Sequence, residues 1–212
     1  MHLALKTTMQ TDPLKTSSYN FTLPSELIAT HPIEPRDHAR LLVYDRASDT
    51  INHARFDAFE SFLPKECGII FNDTKVIKAR LYGHKTSGGK LELLINRALD
   101  AYNVNVYIRG KVKVGTTIAF ENGFSAKLIK LYEDGSRDVN FFQDETKLRF
   151  EEILPIIDIQ GHIPLPPYMN REDEAIDEDD YQSVFAKYEG AVAAPTASLH
   201  FTAYININIV SI

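Results

Sequence analysis

TIAFENGFSAKLIKLYEDGSRDVNFF, residues 117–142, reads as three short strands joined by two tight turns. Apolar and polar residues alternate on either side of Glu121-Asn122-Gly123 and Glu133-Asp134-Gly135. Asn-Gly and Asp-Gly between alternating runs are strong hairpin signals, because both central residues of such a turn accept positive φ. Upstream, Ser87-Gly88-Gly89 breaks another alternating run in the same way, so the texture extends from about residue 79 to 157. Turns recurring at roughly ten-residue intervals predict a small antiparallel β-barrel.

The sequence on both sides of this stretch has a different texture. Pro24 followed by an apolar face predicts one short helix within residues 21–29. Arg40–Asp45 and Ile51–Arg55 flank Ala-Ser-Asp-Thr and predict a strand, a tight turn and a second strand. Phe56, Phe59 and Phe62, three residues apart, predict a helix over 56–63. Gly68-Ile-Ile-Phe71 predicts a short buried strand with Asn72-Asp-Thr-Lys75 at its carboxyl end. Residues 144–153 carry Leu148, Phe150 and Ile153 among charges and predict a connecting helix. The expected division is an extension over 1–18, an α/β domain over 19–78, an inserted β-barrel over 79–158, a second α/β segment over 159–202 and an anomalous tail over 203–212. The fold class is thus a mixed α/β domain with an inserted small antiparallel β-barrel.

The 212 residues, 44% hydrophobic and 25% charged, suit an ordinary globular protein. A single cysteine, Cys67, excludes an internal disulfide and fits a reducing cytoplasm; it is expected to be buried and inert. Leu3-Ala4-Leu5 is too short an apolar core for a secretory signal, and no window approaches a membrane span. The net charge is −6, but it is unevenly distributed. Residues 75–150 hold 14 Lys and Arg against 8 Asp and Glu, whereas residues 151–190 hold 2 against 11. A basic middle in an acidic chain fits contact with phosphate, and fits an ordinary solvated barrel surface equally well.

Signatures of serine hydrolases, zinc proteases, P-loops and dinucleotide folds are absent. His53, His84 and His162 have no partner at metal-ligand spacing, and no metal is expected. Arg36 and Arg40 around His38 suit either an anion or a surface ion-pair cluster. The acidic run 172–180 lacks the glycine and ligand alternation of a calcium loop and reads as solvated. Three segments are odd for core and for plain surface alike. Asn72-Asp-Thr-Lys75 groups four polar side chains, and Pro164-Leu-Pro-Pro-Tyr168 is a stiff apolar edge ending in a phenol. Gly190-Ala-Val-Ala-Ala-Pro-Thr196 lets backbone approach a ligand closely before Leu199-His-Phe-Thr202 presents an imidazole and hydroxyls.

In this order the segments resemble the S-adenosylmethionine:tRNA ribosyltransferase-isomerase family of queuosine biosynthesis. The resemblance also includes Tyr19-Asn-Phe-Thr-Leu-Pro24, Asp37-His-Ala-Arg-Leu-Leu42, Ala79-Arg-Leu-Tyr-Gly83, Ser87-Gly-Gly-Lys90 and Tyr181-Gln182, and spans residues 19–202. Lys78 stands where the family usually has proline, and Ser198 where it usually has glycine. In the family, His-Phe-Thr leads into an amphipathic helix and a further C-terminal region. Here an uncharged Ile- and Asn-rich stretch follows, which reads as an out-of-frame sequence.

The resemblance implies transfer of the ribosyl part of S-adenosylmethionine, as cosubstrate, onto 7-aminomethyl-7-deazaguanine at the tRNA wobble position. Isomerisation to epoxyqueuosine would release adenine and methionine. It implies Asp73 as charge partner or base and His200 as acid-base group. Substrate contacts fall to Asn72, Thr74, Pro166, Pro167, Tyr168, Ala194, Pro195, Thr196, Phe201 and Thr202. Lys75, Arg80, Lys85 and Lys90 would meet the tRNA backbone. The expected protein is a cytoplasmic monomer without membrane attachment. Two other readings are a fragment that only binds tRNA and a methyl-transferring S-adenosylmethionine enzyme; the lack of a glycine-rich strand-to-helix motif weighs against the latter.

Overall fold

The computed structural model describes residues 12–203. The strands in chain order are β1 (Arg40–Asp45), β2 (Thr50–Arg55), β3 (Thr74–Val76), β4 (Arg80–Lys85), β5 (Lys90–Ala98), β6 (Val104–Arg109), β7 (Thr117–Ala119), β8 (Phe124–Leu131), β9 (Ser136–Gln143), β10 (Thr146–Lys147) and β11 (Tyr188–Ala191). Two α-helices join them, α1 (Phe150–Gln160) and α2 (Asp177–Asp180).

Six antiparallel strands close a ring in the order β9, β6, β5, β4, β7, β8, with β8 returning to β9 and β10 added beside β9. The three turns read from sequence are the β4–β5, β7–β8 and β8–β9 hairpins, and Gly88, Gly123 and Gly135 each take positive φ there. Irregular pairing at Ile95/Arg97 and Leu128/Lys130 bends β5 and β8 as closure requires. Alternate residues fill the interior: Leu91, Leu93 and Ile95 of β5 face Val104, Val106 and Ile108 of β6 in one buried cluster. Phe120, Phe124 and Phe141 lie ring against ring at 5.2–6.4 Å.

Helix α1 buries Ile153 and Ile157 in the same cluster. The helix expected over 144–153 starts later, because β10 pairs with β9 and Leu148 N donates to Phe141 O, so this stretch first extends the barrel sheet. Helix α1 then runs through Pro155. A mid-helix proline costs about 3 kcal/mol, but burying two isoleucines contributes about 1.5–3 kcal/mol each. Gly161 ends the helix with its N–H on Ile157 O (2.8 Å), and a Cβ there would overlap the carbonyl oxygens of Lys78 and Ile157. Gly161→Ala is therefore expected to destabilise the chain by about 1–3 kcal/mol, read as a lowered thermal midpoint. An unchanged midpoint would mean that the chain relaxes freely at this junction.

Outside the barrel, β1 and β2 form the expected hairpin. Strand β3 pairs in parallel with β11, so the chain leaves this small sheet, builds the barrel and returns to it. The predicted helices at 21–29 and 56–63 are 3-10 turns at Ser25–Leu27 and Phe56–Phe62. Residues 68–71 form no strand, and Ile70 is 93% exposed. With no partner strand there among the described residues, pairing begins only at Thr74, and Asn72-Asp73 precede a strand rather than follow one. Cys67, expected to be buried, is exposed on the same irregular stretch. Residues 12–19 form an exposed turn tied by Ser18 Oγ to Asp12 O. Residues 1–11 and 204–212, including nearly all of the tail expected to be anomalous, lie outside the described residues. No helix among the described residues is long and apolar enough to cross a membrane.

Candidate functional site

Segments far apart in sequence meet around a cavity of about 460 Å³. One wall comes from residues 29–40 (Ala29, His31, Arg36, His38, Arg40), another from Tyr168 and Met169, a third from Asp180 and Tyr181, and the last from Thr196, Leu199 and His200. The size and mainly apolar lining suit a small-molecule site with a few orienting polar groups.

Arg36 organises the middle of this site. Its guanidinium donates to Gln182 O (2.9 Å) and Asp179 O (3.1 Å) and lies 3.6 Å from Asp180 Oδ1. The Arg36 pair is internal, whereas the sequence reading places an ion-pair cluster on the surface. Burial raises the Asp180 carboxyl above its usual range, with the Arg36 charge opposing. Gln182 in turn bonds both the N–H (2.9 Å) and the carbonyl (2.8 Å) of Val76, locking β3 to this segment.

The acidic run is solvated at Glu172, Glu174, Glu178 and Asp179, as its charge suggests, but not at Asp177. Asp177 is fully buried and pairs with both terminal nitrogens of Arg171 (2.6 and 2.7 Å), while Glu174 N donates to the same carboxylate (2.7 Å). The Arg171 guanidinium holds the Asp177 carboxyl below the usual range, burial opposing. Arg171 Nε also donates to Thr30 O (2.9 Å), which secures the wall carrying His31.

His200 lies against the Phe56 ring, with centroids 5.2 Å apart. Partial burial, and then the positive charge of Arg36, hold its imidazole below the ordinary value, which favours the uncharged form. The following residue, Phe201, is buried among Phe56, Phe59, Phe71 and Phe185 at 4.9–5.6 Å. Phe201 thus anchors the His-Phe-Thr segment from the core and does not line the cavity. Thr202 Oγ1 donates to Asp37 Oδ2 (2.8 Å), and Asp37 Oδ1 is buried with no partner among the described residues.

Of the catalytic and substrate-contact residues implied by the resemblance, His200, Tyr168 and Thr196 line the cavity, as do Arg36, His38 and Arg40 of the candidate anion cluster. Pro166 and Pro167 lead into the turn that carries Tyr168, and Ala194 and Pro195 lead into Thr196. Asn72, Asp73 and Thr74 are not part of this wall. Asn72 Oδ1 caps the start of β3 by accepting from Thr74 N (2.8 Å), and Asp73 is exposed, its carbonyl accepting from Lys187 N (2.7 Å) and Tyr188 N (3.1 Å). Lys75 pairs with Glu189 (3.7 Å). Arg80 is largely buried, 3.2 Å from Glu92 and donating to Leu165 O (2.9 Å), while Lys85 stands half-buried and Lys90 exposed on the barrel. Asp180 and Met169 had no individual signal in the sequence; Asp180 was one of many acids in a charged run. Tyr181 was visible only as part of a motif, and burial pushes its phenol up to about 12.

The model of a family described as "Queuosine biosynthesis protein" matches residues 16–211. Two relatives are both named S-adenosylmethionine:tRNA ribosyltransferase-isomerase. The one from Sulfurimonas denitrificans is 69% identical over 194 residues, 92% of this chain and 57% of its own length. The one from Nitratiruptor is 59% identical over 191 residues, 90% of this chain and 56% of its own. The chain therefore spans a little over half the length of these relatives. A solved structure of S-adenosylmethionine tRNA ribosyltransferase from Thermotoga maritima is 30% identical, covering 72% of this chain and 52% of its own, with a TM-score of 0.32.

Proposed function

The chain belongs to the queuosine biosynthesis protein family, and on that premise we propose that it carries part or all of a ribosyl transfer and isomerisation. The donor is S-adenosylmethionine and the acceptor the aminomethyl group of 7-aminomethyl-7-deazaguanine at the tRNA wobble position. Adenine and methionine leave, and epoxyqueuosine remains on the tRNA.

The observation that carries this reading is the convergence of residues 31–40, 168–169, 180–181 and 196–200 on one cavity. A cavity of about 460 Å³ falls within the range that accepts a nucleoside-sized ligand. Tyr168, 61% exposed on its wall, supplies a face for an adenine or deazaguanine ring. The Asp180 carboxylate offsets a sulfonium charge, and such a cation would draw its raised pKa back down. Neutral His200 accepts the proton from the carbon next to sulfur and returns one to the departing adenine. Thr196 adds a hydroxyl beside it. Asn72, Asp73 and Thr74 shape the start of β3, and the exposed Asp73 carboxylate remains available to a substrate group outside the cavity.

The test is adenine release from S-adenosylmethionine in the presence of tRNA carrying the deazaguanine base. Adenine and methionine in equal amounts are expected. Retention of tRNA without adenine release would favour a binding role for these residues. Release of S-adenosylhomocysteine would replace ribosyl transfer with methyl transfer.

A further inference from the structure

We propose that a lysine-lined bowl on the barrel, built by the β4–β5 turn and the β6–β7 loop, is a docking site for the sugar-phosphate backbone of RNA. The inference rests on the reading above that tRNA is the partner, and adds where on this chain the backbone lies.

The bowl encloses about 580 Å³, and Lys85, Thr86, Ser87, Lys111, Lys113 and Thr117 are on its wall. No carboxylate lines it. Both loops are tied in place. Lys85 N donates to Gly89 O (2.9 Å) and Gly88 N to Lys85 O (2.8 Å). Across the bowl, Thr116 N donates to Lys113 O (2.9 Å), Lys113 N to Thr116 Oγ1 (3.1 Å) and Gly115 N to Leu128 O (2.8 Å). Gly88 (φ +96°) and Gly115 (φ +85°) permit these two turns.

Convergence on one concavity free of carboxylates distinguishes these lysines, since Lys90, Arg97, Lys127, Lys130, Arg137 and Lys147 of the basic middle also have no carboxylate within 4.0 Å among the described residues. Lys75, Lys78, Arg80 and Arg109 each have a carboxylate partner at 2.7–3.9 Å. Among the described residues, Lys85, Lys111 and Lys113 have none within 4.0 Å. Three like charges around one concavity repel unless an anion enters, and hydroxyls beside them add neutral donors. Lys with Ser and Thr is the set that commonly contacts phosphodiesters. Arg80 ties one end of β4 to Leu165, three residues before Tyr168 of the cavity, and Lys85 ends the strand five steps on. At about 3.3 Å per step, β4 spans about 16 Å between these two residues.

The experiment measures binding of the full chain to a tRNA transcript between 50 and 300 mM KCl. The K85Q/K111Q/K113Q variant is expected to bind at least about tenfold more weakly at 50 mM and to flatten the log–log salt slope by about 2–3, at about 0.7–0.9 per lost phosphate contact. K127Q/K130Q/K147Q, which removes the same charge from β8 and β10, should leave the slope nearly unchanged. If the first triple does not fold, as judged by its thermal transition, the three single Lys→Gln variants carry the test, each flattening the slope by about 0.7–0.9. Equal losses in both triples would overturn the inference, leaving only general attraction to a basic barrel. Unchanged binding in the first triple, with wild type binding tRNA, would overturn it while leaving the proposed function intact. Displacement of tRNA by millimolar inorganic phosphate at constant ionic strength would make the bowl a free-anion site and also overturn it. No binding by wild type would remove the tRNA reading and the inference together.

Discussion

Arg171→Met is expected to destabilise the chain by about 3–5 kcal/mol at pH 7, the loss typical of stranding one partner of a buried ion pair. The Asp177 carboxylate left behind is 0% exposed, and its remaining donor is Glu174 N. For a chain of this size the loss corresponds to a fall of about 6–20 °C in thermal midpoint. The pH dependence has a definite sign. In the wild type the Asp177 pKa is lowered, so its contribution is full above the unfolded value and fades as pH falls through the folded one. In the variant, burial without Arg171 raises the pKa, so the charged form is penalised at neutral pH. The gap between the two proteins should therefore narrow toward pH 4. A variant melting within two degrees of wild type at pH 7 would show that Arg171 and Asp177 are not coupled in solution. The wider consequence is for the cavity wall, because the same guanidinium holds Thr30 beside His31.

His200→Ala, by contrast, should leave stability almost unchanged and lower the rate of adenine release by about 10²–10⁴-fold, the range for losing a positioned acid-base group. Its neighbour should behave in the opposite way. Phe201→Ala removes a ring packed on four others and is expected to cost about 3–5 kcal/mol. The pH profile separates a chemical role for His200 from a structural one. Its imidazole is held below the ordinary value by burial first and by Arg36 second, so the acidic limb of the rate should lie below about 6.5. Arg36→Gln removes the second cause alone and should move that limb upward, still short of the free value because burial remains. Full adenine release by His200→Ala, or a limb that ignores Arg36, would take His200 out of the chemistry.

The barrel could be read from residues 79–157 because its determinants are local. Asn122-Gly123 and Asp134-Gly135 specify hairpin turns through backbone preferences that need no distant partner. Period-two alternation then assigns Val104, Val106 and Ile108 to one face before any neighbour is known. The family was legible for a related reason: an ordered set of short motifs survives in sequence even where its spatial meaning does not. His200, Tyr168 and Thr196 were accessible by that route.

Elsewhere, local preference was overruled. Helix α1 passes through Pro155 because the barrel end offers Ile153 and Ile157 more burial than the proline costs. Residues 68–71 look like a strand, yet no partner strand among the described residues pairs with them. The acidic run reads as solvated until Arg171 folds back onto Asp177, a contact whose value depends on the burial of both groups. The cavity itself rests on links such as Arg36 to Gln182 and Thr202 to Asp37, 146 and 165 positions apart. Chain chemistry within a few residues sets turns, alternation and strand identity. Which carboxylate is buried, which imidazole is held below its ordinary pKa and which lysines share one concavity depend on what the fold brings beside them, because charge and desolvation act through space.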